Sequence, residues 1–313
     1  MGADAGGGRA VVVLTALNLE YTAVRAHLTE LQRITHPRSG AGFEVGRLPG
    51  VELPVALVRT GQGNASAGVL TERAIEAFEP VAVMFVGVAG GLAHDVALGD
   101  VVVATRVYAV HGAKEEDGRS LARPRAFEAA FELLDLAQHL DVIGAWPADS
   151  GSAQGGSAQS GPAQSGPEPA IRVHFAPVAS GEVVLNSRDT PLAKQLYEHF
   201  NDAAAIEMES AGVAQAAHLN RSIPMLTVRG ISDKADGLKH VADAAGGQPE
   251  AAARAALVAV TVLREFAASL PADNPPSRAD RHGSVTNNLS GGPINGPVIQ
   301  AGHIHGPITF HYP

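Results

Sequence analysis

The stretch "AVVVLTAL" from Ala10 is a nearly continuous apolar run, and "VAVMFVGVAGG" from Val81 and "DVVVATRVYAV" from Asp100 are read as two further, mostly apolar strands. A strand with one wet face alternates apolar and polar residues. A run without alternation has both faces covered, as in a parallel sheet flanked by helices. Helical periodicity appears between such runs, from about Glu20 to Leu31, Ala65 to Ala77, Pro124 to Leu140, Thr190 to Phe200 and Pro249 to Ala268. Further strands are read at "LPVALVRTG", "IRVHFAPVASGEVVL" and "PMLTVRGISDKADG". Strands alternating with helices predict an α/β fold built on a mostly parallel sheet.

The remaining sequence divides around this pattern. Residues 150–170 are a degenerate five-residue repeat of Gly, Ser, Ala, Gln and Pro, too poor in apolar surface to pack, and are read as a flexible insertion. The expected organisation is an N-terminal arm (1–9), a globular domain (10–270), a linker (271–283) and a separate tail (284–313). A formal charge of −9 argues against nucleic acid or an anionic membrane as partner. The chain has no cysteine, which excludes disulfide and thiolate chemistry. It has no apolar leader and no run long enough to span a bilayer, so a soluble, cytoplasmic protein is expected.

Chemistry-bearing residues gather at strand ends: Glu20 in "TALNLEY", Glu207 and Glu209 in "AIEMES", and Asp233 in "GISDKAD", with the glycine-rich "VGVAGG" between them in sequence. Open α/β sheets bind ligands at the carboxyl edge of their strands, so these groups are expected to converge there. Taken singly, an acidic residue after a strand reads better as a helix N-cap, and "VGVAGG" as a tight turn.

In order and together, the acidic turn, the G-x-A-G-G-L…G-D-V-V-V block, the E-M-E block and the R-x-I-S-D-x-A-D block resemble the nucleoside phosphorylase/nucleosidase superfamily, in particular its methylthioadenosine/S-adenosylhomocysteine nucleosidase branch. The resemblance covers about residues 10 to 268. It implies a three-layer α/β/α nucleoside phosphorylase-like fold with a mixed, mostly parallel central sheet, and cleavage of a purine N-glycosidic bond through an oxocarbenium-like transition state. It implies that Asp233, oriented by Ser232, protonates purine N7, which requires burial to hold that acid near neutrality. Glu20 would activate the attacking water, Glu209 would accept hydrogen bonds from the ribose hydroxyls, and Met208 would pack on the sugar. Gly87, Val88, Ala89 and Gly90 would let the backbone approach the ligand. Glu207, expected in a strand to share a face with Glu209, is read as a residue with a structural partner. No cofactor is implied, and the partners are a purine nucleoside or nucleotide and further copies of the chain.

Two departures from the family pattern bear on the reaction. Val88 stands where a serine is usual, and Phe85 stands where phosphorolytic relatives carry arginine. Both losses weaken a phosphate site and favour hydrolysis. The positions where nucleosidases place an aromatic against adenine hold Val183 and Val184. Arg59, Lys114 and Lys234 are the candidate cations for a phosphate-bearing substrate, each read more simply as a surface charge. His94 and His111 lie near strand ends, where a lone histidine is more often a turn or core residue. No spacing resembles a metal site.

The tail aligns on itself at a ten-residue step, "PINGPVIQAG" over "HIHGPITFHY". Its core, Val298, Ile299, Gln300, Ala301 and Gly302 followed by Ile304 and Gly306, resembles the RIP-homotypic-interaction-like motifs of bacterial amyloid signalling. Stacked copies would satisfy the backbone in a cross-β arrangement, with Pro297 and Pro307 at bends. Such motifs imply an NLR-type receptor carrying a matching segment. The sequence therefore supports an effector nucleosidase switched by its tail. The alternatives are a housekeeping nucleosidase or phosphorylase with an incidental tail, and a decayed nucleoside sensor.

Overall fold

The computed structural model describes residues 9–147, 171–244 and 246–270. The predicted insertion (150–170), the linker and the whole tail motif from Val298 to Gly306 lie outside the described residues. Strand β1 (Val11–Thr15) leads into helix α1 (Asn18–Arg25), followed by β2 (Thr29–Thr35), β3 (Gly42–Arg47), β4 (Pro54–Arg59) and α2 (Asn64–Phe78). Then come β5 (Ala82–Gly91), β6 (Val101–Ala109), the hairpin β7 (Ala113–Glu116) and β8 (Arg119–Ala122), β9 (Arg125–Glu128) and α3 (Phe131–Val142). The last third holds β10 (Val173–Ser180), α4 (Pro191–His199), β11 (Ala205–Glu207), α5 (Ser210–Leu219), β12 (Met225–Asp233), α6 (Lys239–Ala244) and α7 (Gly247–Ser269).

The continuous apolar runs form the centre of one mixed sheet with strand order β11-β10-β6-β12-β5-β1-β4-β3-β2. Pairing is parallel through β4, β1, β5 and β12, and again through β6, β10 and β11. The two parallel runs meet at the antiparallel pair β12–β6. Every residue of β1 and of β12 is buried, as a strand covered on both faces must be. The helices supply the cover with small residues: Ala251, Ala252, Ala255 and Ala256 on α7 are buried, and a Cβ on Gly230 would stand 2.5 Å from the Ala251 carbonyl carbon. Small side chains let helix and sheet approach more closely than leucines would.

β11 pairs β10 on one side and, antiparallel, the end of β5 on the other, with Ile206 opposite Gly90 and Ala205 opposite Gly91. The five strands β5, β12, β6, β10 and β11 therefore close on one another. This closure brings the E-M-E segment beside the glycine-rich block.

Two helices expected from periodicity are shorter. α1 stops at Arg25, because Thr29–Thr35 pairs antiparallel with Gly42–Arg47. The pattern from Pro124 splits into β9, which pairs β6, and α3. In both places pairing to a distant strand satisfies the backbone and overrides a local helical pattern.

Candidate active site

The carboxyl ends of β5 and β12, the start of α1 and the β11–α5 turn line one cleft. Glu20, Val88, Ala89, Gly90, Val183, Val184, Glu207, Met208, Glu209, Ser232 and Asp233 all border it. The structure thus brings together residues separated by over two hundred positions in the chain.

Glu20 is 2% exposed. Its Oε2 accepts the N–H groups of Ala16 at 2.7 Å and Leu17 at 2.8 Å, and its Oε1 accepts the N–H of Val88 at 2.8 Å. The N-cap of α1 is Leu17, not Glu20 as the simpler reading expects; Glu20 stands at the third helical position, reaches back to the Leu17 N–H, and faces the cleft from there. Burial raises its pKa, while nearby Arg229 and the three backbone donors oppose the rise. Gly87 permits the approach: a Cβ there would lie 2.5 Å from Glu20 Oε1 and would also collide with the Arg229 guanidinium.

Arg229, on β12, has no exposed surface. Its Nη2 donates to Glu207 and, at 3.2 Å, to Ser210 Oγ. It lies 3.9 Å from Glu209 Oε2. Its guanidinium stacks 4.0 Å from the centroid of the Phe85 ring, and its Nε and Nη1 find no hydrogen-bond partner among the described residues. Glu207 is held as a structural residue would be: its oxygens accept the N–H groups of Glu209 (3.1 Å) and Ser210 (2.9 Å), closing the start of α5. Glu209 does not share a strand face with Glu207, because β11 ends at Glu207 and Glu209 turns into α5. Glu209 Oε1 accepts the Gly63 N–H at 3.0 Å. Burial, helped by the charge of Glu207 and opposed by Arg229, pushes the Glu209 pKa up to about 7.

Asp233 is 3% exposed. Its Oδ1 accepts the Ala235 N–H at 3.0 Å. Its Oδ2 accepts from Lys239 Nζ at 2.7 Å and from the Ser232 hydroxyl at 3.2 Å. A Cβ on Gly90 would sit 3.0 Å from Oδ1, so this glycine also leaves room beside an acid. The exposed Val183 and Val184 contribute apolar wall.

Sequence reasoning missed three residues. Arg229 stands in the R-x-I-S-D-x-A-D block, and its signal was a charge inside a mostly apolar strand, which demands buried carboxylate partners. Lys239 gave no signal, because only the turn after β12 returns it to Asp233. Asn64 bonds the Gly181 carbonyl (2.7 Å), the Gly212 N–H (2.8 Å) and the Ser180 hydroxyl (3.0 Å), tying the starts of α2 and α5 to the end of β10. The candidate phosphate cations do not border the cleft. Arg59 pairs with Asn18, Lys114 with Glu116, and Lys234 with the carbonyls of Ala93 and Val96. His94 and His111 do not border it either.

The phosphorylase superfamily model matches residues 10–264. The chain belongs to the phosphorylase superfamily. Among superfamily members, a 5′-methylthioadenosine/S-adenosylhomocysteine nucleosidase of Exiguobacterium sp. is 28% identical over 230 residues, covering 72% of this chain and 85% of the relative. The enzyme of the same name from Maridesulfovibrio salexigens is 29% identical, covering 72% and 86%. The fold matches that of the Neisseria meningitidis 5′-methylthioadenosine/S-adenosylhomocysteine nucleosidase, solved with methylthio-immucillin-A. The TM-score is 0.64 at 21% identity, covering 82% of this chain and 100% of that one. It also matches futalosine hydrolase of Helicobacter pylori, with TM-score 0.64 at 21% identity and coverage of 82% and 98%.

Proposed function

We propose that this phosphorylase-superfamily chain is a nucleosidase that hydrolyses the N-glycosidic bond of a purine nucleoside. The observation that carries the reading is the placement of two buried acids along the end of one strand. Glu20 bonds Val88 and Asp233 lies against Gly90, a separation along β5 of about 7 Å. A purine imidazole edge and the anomeric carbon fit that span. Asp233 gives its proton to N7 as the C1′–N9 bond breaks and the bonding pair passes to the base. Water adds to C1′ and gives its proton to Glu20. Each positioned acid or base is worth about 10²–10⁴ in rate. Glu209 accepts from the ribose hydroxyls, Met208 packs on the sugar, and Val183 and Val184 cover the base.

Water is favoured over phosphate as nucleophile on electrostatic grounds. Glu20, Glu207 and Glu209 all border the cleft, and Arg229, which could attract an anion, is engaged by Glu207 and close to Glu209. A phosphate dianion entering there would meet carboxylates at the sugar end. Among the described residues, the cation on the cleft wall is Lys239, at the Asp233 end.

The relatives are nucleosidases named for methylthioadenosine and S-adenosylhomocysteine, which supports a housekeeping nucleosidase over an effector governed by its tail. The test is release of free base from methylthioadenosine and adenosine by the full chain. Asp233→Asn should abolish release while leaving the fold intact, and full activity in that variant would refute the assignment of the acid. Gln300→Asp and Gly302→Asp should leave release unchanged. Activity that depends on either residue would revive the effector reading.

A further inference from the structure

We propose that a second cavity, outside the cleft, binds a small phosphate monoester between Arg33 and Arg59. The cavity has a volume of about 530 Å³ and is bordered by Asn18, Tyr21, Arg33, Glu44, Arg59 and Leu70 among others. It shares no lining residue with the cleft. The start of α1 serves both: Leu17 borders the cleft and Asn18 borders the cavity.

Strand register puts the two arginines on one face of the sheet. Arg33 pairs with Glu44 across β2 and β3, and Glu44 pairs with Leu57 across β3 and β4. Residues paired across strands share a face, and so do residues two apart along a strand. Arg59, two residues beyond Leu57, therefore lies on the face that carries Arg33 and Glu44. Two strand spacings across and two residues along set their Cα atoms about 12 Å apart. Two extended arginine side chains close that gap onto one tetrahedral group.

The charges around the cavity do not cancel. Its acid, Glu44, is already taken. Arg25 donates to it from Nε at 2.6 Å and from Nη2 at 3.3 Å, and the Tyr21 hydroxyl donates at 2.9 Å. Among the described residues neither Arg33 nor Arg59 is ion-paired. Arg59 uses Nη1 on Asn18 Oδ1, one of the five N–H donors that a guanidinium carries. With Arg25 matched to Glu44, two positive charges remain, in a chain whose formal charge is −9. A phosphate monoester dianion balances both, and its oxygens can accept from both guanidinium forks. A carboxylate carries one charge and fills one fork. The cavity has room for more than the phosphate, and the half-buried Tyr21 and Leu70 give its organic part an apolar wall.

The test is calorimetric titration of the full chain with methyl phosphate at low ionic strength, and it does not depend on the nucleosidase reading. Wild type should bind saturably. Arg33→Met and Arg59→Met should each weaken binding about tenfold, the low end for a charge-assisted bond because both side chains are exposed. The double variant should show no binding while keeping the wild-type melting temperature. Arg38→Met removes an exposed charge that pairs with Glu76 outside the cavity, and should bind as wild type does. Lys239→Met removes the cation of the cleft wall and should also bind as wild type does. Acetate should bind about tenfold more weakly than methyl phosphate. No saturable binding at millimolar methyl phosphate, binding retained in the double variant, or an equal loss in Arg38→Met overturns the proposal. So does a loss in Lys239→Met, which would put the anion in the cleft, or equal binding of acetate, which would remove the preference for phosphate.

Discussion

Replacing Arg229 with methionine tests the electrostatic frame of the site. The guanidinium is fully buried, ion-paired to Glu207, 3.9 Å from Glu209 and stacked on Phe85. Methionine fills much of the stem volume but removes the cation, leaving a cluster of carboxylates without its counter-charge. Breaking one partner of a buried pair costs about 3–5 kcal/mol. With a urea dependence of ~2–3 kcal/mol per molar, the unfolding midpoint at pH 7.5 should fall by about 1.5 M. The loss should shrink on acidification. Without Arg229 the folded state holds carboxylates that are harder to ionise than in the unfolded chain, so folding takes up protons and low pH favours it. Urea titrations at pH 7.5 and 5.5 measure both effects. Adding Glu207→Gln to the variant should restore part of the stability, because it removes one of the stranded charges. A loss below about 1 kcal/mol at pH 7.5, a loss independent of pH, or strict additivity in the double variant would refute the reasoning.

Three further outcomes follow from the same structure. Gly230→Ala would place a methyl against the Ala251 backbone and should cost about 2 kcal/mol or more by pushing α7 off the sheet, read as a lower melting temperature. Asn64→Ala strands the Gly212 N–H, the Gly181 carbonyl and the Ser180 hydroxyl, and should cost about 2–3 kcal/mol, with loss of amide protection at the start of α5 as its signature in hydrogen exchange. Wild-type stability should decline as pH rises: Glu209 is raised from 4.5 to about 7, so its contribution is complete below 4.5 and is lost as pH passes 7. The contribution is about 3 kcal/mol, and Glu209→Gln should flatten that part of the pH profile.

Much of the site was legible before the fold. Glu20, Glu209 and Asp233 each follow an apolar strand run, and the glycines of "GVAGG" announce close approach. Their convergence needed only the rule that ligands gather at the carboxyl edge of parallel strands. The role of Glu207 was legible in outline, as a carboxylate needing a partner. The identity of that partner was not, because Arg229 is distant in sequence and reaches Glu207 only through the closure of β11 onto β5.

The sequence by itself determined the α/β class, the buried central strands and the identity of the acids, because these depend on local properties: apolar runs, helical periodicity and residue chemistry at strand ends. It misread the segments after Arg25 and before Phe131, where hydrogen bonds to distant strands outweigh a helical pattern. The tertiary structure alone decided which charges meet. Arg229 is buried among glutamates because β12 lies between β5 and β6. Lys239 stands on Asp233 because the chain turns back after β12. Ion pairs depend on distances of a few ångströms between residues remote in the chain, and those distances are set by packing.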